Sequence, residues 1–97
     1  MKIKDDLLAE LAVQLGDRRG VVSPGVEQLS DELADELEAI QAMLVAGELS
    51  AEQARLHRQL RLNSFNMSLL ALEGVGDIAL EQTLVGLVKV VRRFYGV

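Results

Sequence analysis

Ile3, Leu7, Leu8, Leu11 and Leu15 recur at helical spacing, with Asp5, Asp6 and Glu10 between them and Gly16 directly after. That alternation predicts an amphipathic helix over residues 3–15 that stops at the glycine. Residues 16–25, GDRRGVVSPG, carry turn chemistry over several consecutive positions and predict a linker. Within it, Ser23 before Pro24 suits an N-cap followed by proline at the first helical position, where the missing N–H costs nothing. Val26, Leu29, Leu33, Leu37, Ile40 and Leu44 then step by three and four, which lays one coiled-coil-like stripe along a second helix ending near Gly47.

GELS, residues 47–50, reads as a short turn, and Ser50 with Gln53 matches a capping box opening a third helix. A connection this short makes the flanking helices antiparallel neighbours. Their charges fit that register. Residues 20–54 contain no lysine or arginine, while Glu27, Asp31, Glu32, Asp35, Glu36 and Glu38 crowd the second helix and Arg55, Arg58 and Arg61 open the third. A turn that pairs position 46 with 51 sets Arg58 beside residue 39 and Arg61 beside residue 36, so opposite signs meet across the seam.

EGVGD, residues 73–77, admits two readings. In one, Gly74 takes a left-handed position after the helix, Val75 packs back on Leu70, and Asp77 caps a fourth helix running to about Tyr95. In the other, one helix runs from Ala51 to Tyr95 and aligns Gln59, Asn63, Asn66, Glu73, Asp77 and Glu81 on a polar stripe. Local capping chemistry and ordinary helix lengths favour the break. The expected fold is all-α: an antiparallel helical-hairpin bundle of three or four helices, in a single domain spanning residues 1–97.

From Ile78 to Val91 only Glu81 and Lys89 are charged, so apolar groups surround most of this segment and require burial on several sides. The other helices offer a monomer little surface with which to wrap it. A homo-oligomer, simplest as a two-fold dimer, is therefore expected. Its interface would be formed by Ile78, Ala79, Thr83, Leu84, Gly86, Leu87, Val90, Val91 and Phe94, with the small residues Ala79, Thr83 and Gly86 allowing close backbone approach. The alternative is a helix central to its own bundle. A membrane span is not expected on length: Glu81 and Lys89 bound an uncharged run of seven residues, and Leu62 to Leu72 gives eleven, against the roughly 17 to 25 a spanning helix needs.

Composition narrows the function classes. The chain has 97 residues, no cysteine, three aromatic residues and a net charge of −5. Disulfides and thiolate metal sites are excluded, the core must be aliphatic, and the acidic balance argues against nucleic acid, which needs a clustered basic face. The arginine pairs at 18–19 and 92–93, and a base-stacking Tyr95, are the features that point the other way; the arginines fit better as partners of the acidic helix. Glu73, Asp77 and Glu81 would align three carboxylates on a continuous helix, but the Glu-x-x-His pairs of two-metal bundles are missing. His57 is the sole histidine, flanked three residues away by Ala54 and Leu60, and is expected on the surface. It would have to serve any of Ser23, Ser30, Ser50, Ser64 or Ser68 as a catalytic base, and no such constellation is evident. The G-x-G of EGVGD follows a helical run and lacks the third glycine of a phosphate loop. The sequence thus predicts a soluble, cytoplasmic, non-catalytic interaction or assembly module that self-associates, with no catalytic residue, cofactor or membrane contact and with any further protein partner unidentified. The competing expectation is a carboxylate-rich bundle binding a divalent metal.

Overall fold

The computed structural model describes residues 2–15, 23–72 and 77–96, with side chains described throughout except at 77–80. Four helices account for nearly all of it: α1 (Ile3–Leu15), α2 (Pro24–Val45), α3 (Ala51–Ala71) and α4 (Asp77–Tyr95). No strand occurs among the described residues. The chain breaks between α3 and α4, because Leu72 leaves the helix with φ −79° and ψ 144°, an extended conformation. The capping roles expected of Gly74 and Val75 fall outside the described residues.

The helix ends follow from local chemistry. Ser23 is extended and its hydroxyl accepts from the Val26 N–H at 3.3 Å, with Pro24 opening α2. Ser50 and Gln53 close a reciprocal box: the Gln53 N–H donates to Ser50 Oγ at 3.1 Å and the Ser50 N–H to Gln53 Oε1 at 2.9 Å. Between them the chain turns through Gly47, whose φ of 79° lies where a side chain would be strained. Around it the Glu48 N–H bonds to the Met43 carbonyl at 2.9 Å and the Gly47 N–H to the Leu44 carbonyl at 3.1 Å, the paired bonds that satisfy the last carbonyls of a helix.

Each helix packs on two others: α1 on α2 and α4, and α3 on α2 and α4, with no close backbone approach across either diagonal among the described residues. This ring has a Cα radius of gyration of 13.3 Å, close to the roughly 13 Å of a compact 100-residue domain. All four helices feed one core, including Leu7 and Leu11 of α1, Leu33 and Leu37 of α2, Leu62, Phe65 and Leu69 of α3, and Leu87, Val90 and Val91 of α4. The stripe expected on α2 faces inward, with Val26, Leu33, Leu37 and Ile40 buried and Leu29 and Leu44 half-buried. Ion pairs meet the acidic helix on both sides. Arg61 Nε lies 3.3 Å from Glu36 Oε2, the positions the 46–51 turn register pairs, and Lys4 Nζ lies 2.6 Å from Asp31 Oδ1. Both are solvent-accessible, so water and salt screen them and they add little to stability.

Candidate functional site

α3 carries the features of most functional interest, and it carries them on opposite faces. Its inner face is formed by Ala54, Arg58, Leu62, Phe65 and Leu69, all buried. Arg58 therefore departs from the seam expected of it: it does not lie along the acidic helix but turns inward, 3% exposed. Its guanidinium carbon sits 5.3 Å from the centre of the Tyr95 ring, a cation–π geometry. Burial lowers the guanidinium pKa from its ordinary value, with the Tyr95 phenol acting in the opposite sense. Tyr95 is in turn raised above the usual phenol range, first by burial and then by the charge of Glu38, with Arg58 opposing. Phe94 meets the Tyr95 ring edge-on at 5.1 Å. Tyr95 is thus engaged within the chain and half-buried, rather than presented for stacking on a base.

Arg58 Nη1 and Nη2 are both buried without a hydrogen-bond partner, as is the Tyr95 hydroxyl. Arg58 is also one of the residues lining a cavity of about 130 Å³ between α3 and α4. Arg55, Arg58, Gln59 and Arg92 supply its polar lining, and Leu56, Leu62, Val88 and Val91 its walls. No carboxylate lines it among the described residues. Arg92 accordingly joins the other arginines around a cavity instead of serving the acidic helix.

The outer face of α3 bears Leu56, Leu60, Asn63, Met67 and Leu70, spaced four, three, four and three residues apart. The four apolar members are 54%, 60%, 66% and 47% exposed in that order. This is the spacing of a coiled-coil seam turned toward solvent. Asn63 at its middle accepts a 3.1 Å hydrogen bond from Gln59 Nε2. The stripe was readable in the sequence as a second 4-3-4-3 series, out of phase with the inner one, but the polar residues between its members mask it when hydrophobicity is judged by density.

Of the nine interface residues expected on α4, seven have described side chains. Thr83, Gly86, Leu87, Val90 and Val91 are buried by the chain's own helices, Leu84 is half-buried against the core, and Phe94 is 37% exposed. The side chains of Ile78 and Ala79 lie outside the described residues. At Gly86 the close neighbour is within the chain: an added Cβ would collide with the Glu10 carboxylate of α1. No family model, curated protein or solved structure matches this chain.

Among the remaining candidates, His57 is exposed, as expected, and so is Glu81; Glu73 and the Asp77 side chain lie outside the described residues. No group of three or more His, Asp or Glu residues among the described residues could hold a metal ion. No helix, searched over the described residues, is long and apolar enough to cross a membrane.

Proposed function

We propose that the protein is a non-catalytic, cytoplasmic helical interaction module, built as an antiparallel hairpin bundle, whose first partner is a second copy of itself. The observation that carries this reading is the solvent-facing seam of Leu56, Leu60, Met67 and Leu70. It moves the contact from α4, where most of the expected residues are already buried, to α3.

Three features favour a second copy as the occupant. The seam is nearly symmetric in sequence about Asn63, so a two-fold axis near that residue lays Leu56 and Leu60 of one chain against Leu70 and Met67 of the other, the self-complementarity a two-fold contact requires. Its middle and second half are uncharged: Gln59, Ser64, Asn66 and Ala71 border the stripe there, and no charged residue occurs from Leu62 to Leu72, while Arg55, His57 and Arg61 lie beside Leu56 and Leu60. Two copies therefore meet without like-charge repulsion. An amide near the axis also suits a polar position that fixes register at some cost in stability. The four side chains expose on the order of a few hundred Å², which sets the contact at the small end of specific interfaces and its affinity at roughly micromolar or weaker.

Sedimentation velocity over a concentration series tests this. The parent chain should shift toward dimer as concentration rises, and Leu60→Glu should remain monomeric with its melting temperature nearly unchanged, because the substituted side chain is largely exposed. A parent chain that stays monomeric across the series overturns the reading.

A further inference from the structure

We propose that the cavity between α3 and α4 binds a short aliphatic carboxylate. Arg58 is the centre of the site. It is 3% exposed, its two terminal nitrogens have no hydrogen-bond partner, and its guanidinium carbon lies over the Tyr95 ring, 5.3 Å from the centre. A buried guanidinium with free donors is an unfavourable arrangement unless something accepts from them. Arg55 and Arg92 stand at the same cavity, which adds positive charge, and no acid is among its described lining residues. Guanidinium forks match the planar geometry of a carboxylate and bind it through parallel N–H donors.

The rest of the lining selects the body of the ligand. Leu62, Val88 and Val91 form an apolar wall beside the arginines. The volume, about 130 Å³, is comparable to the roughly 150 Å³ of an apolar cavity that accommodates benzene. A carboxylate carrying a chain of about four to six carbons fills such a space, its charged end received by the Arg58 guanidinium once that group, closed off from solvent in the free chain, turns its terminal nitrogens toward the cavity. A phosphate would set further charged oxygens against leucine and valine, where nothing compensates their desolvation.

The test is a titration of the full chain followed by amide chemical shifts, with pentanoate as the probe and pentanamide, acetate and inorganic phosphate in parallel. Pentanoate should give saturable shifts confined to the first half of α3 and the last half of α4. Pentanamide lacks the charge and acetate lacks the body, so both should bind at least about tenfold more weakly. Arg58→Met should weaken pentanoate binding by about tenfold or more, with circular dichroism checking that the helices persist. Arg92→Gln, at an exposed position, provides a second variant that leaves the core alone and should also weaken binding. Absence of saturable shifts with pentanoate overturns the proposal, as does phosphate binding as tightly as pentanoate or pentanoate binding unchanged in both variants. Leu56 and Gln59 border both this cavity and the α3 seam, so the titration is repeated in the Leu60→Glu background. Loss of self-association and loss of carboxylate binding are then separate outcomes.

Discussion

Replacing Arg58 by methionine should make the protein more stable in the absence of ligand. Arg58 holds a charged group at 3% exposure with Nη1 and Nη2 unpartnered. Each buried donor left without an acceptor costs about 1–3 kcal/mol. Stacking on Tyr95 returns at most about 2 kcal/mol. The balance is therefore unfavourable by on the order of 0–4 kcal/mol, and methionine keeps much of the side-chain length while removing both the charge and the free donors. We expect a gain of about 1–3 kcal/mol, which for a domain of this size raises the melting temperature by roughly 5–20 °C. Thermal melts and urea denaturation at neutral pH measure it, with an unchanged urea m-value confirming that the effect is on stability alone. Arg58→Lys separates charge from shape: lysine retains the buried charge but loses the planar stack, so it should fall below the parent. A methionine variant less stable than the parent by more than about 1 kcal/mol refutes the reasoning, because it would mean that the guanidinium is well satisfied where it lies.

Gly86→Ala should be close to neutral: alanine gains about 1 kcal/mol of helix propensity, while the Glu10 side chain, a flexible neighbour, must move aside. Denaturation and sedimentation should show little change in stability and none in association; a loss above about 2 kcal/mol would mean that α1 cannot yield there. Stability should also fall in alkali. Tyr95 is raised by burial and by Glu38, so the folded state keeps its proton where the unfolded chain has lost it; its contribution is full below about pH 10 and declines as pH rises beyond that value. Lys4, raised chiefly by its hydrogen bond to Asp31, acts in the same direction, its contribution being present below the unfolded pKa and lost as pH rises through the folded one. Melts between neutral pH and about pH 11 should decline more shallowly for Tyr95→Phe than for the parent, and equal slopes would exclude the tyrosine as a source.

The parts of this fold that were legible from sequence are those governed by chemistry within a few residues. Ser23 with Pro24, Ser50 with Gln53, and Gly47 each solve a local problem of unsatisfied backbone groups, so each is readable without knowing the partner helix. The 36–61 ion pair was legible too, since a short turn transmits register directly along the two helices it joins. Arg58 was not. Charge count placed it with Arg55 and Arg61 on a solvated edge, yet it lies four residues from both Ala54 and Leu62, which puts it on the inner stripe of α3. Helical phase, a stronger constraint than residue type at this position, carried a cation into the core, where an aromatic ring from α4 receives it.

The contrast between α4 and α3 turns on the same distinction. α4 is the more continuously apolar of the two, and for that reason it reads as a surface in need of a second chain. In the ring it lies between α1 and α3, and two neighbours cover a wide arc of its circumference: Thr83, Leu87, Val90 and Val91 are buried and Leu84 and Val88 pack against the core. Among its described side chains, what it leaves in water is largely polar, Glu81, Gln82, Lys89, Arg92 and Arg93, with Val85 and Phe94 between them. α3 is diluted by glutamine, asparagine, serine and arginine, yet its inner stripe is complete with Ala54, Arg58, Leu62, Phe65 and Leu69. Leu56, Leu60, Met67 and Leu70 are surplus to that requirement, and no described helix covers them. A helix presents a contact surface when it has more apolar positions than its own neighbours can cover, and that excess is set by the phase of the pattern rather than by its density.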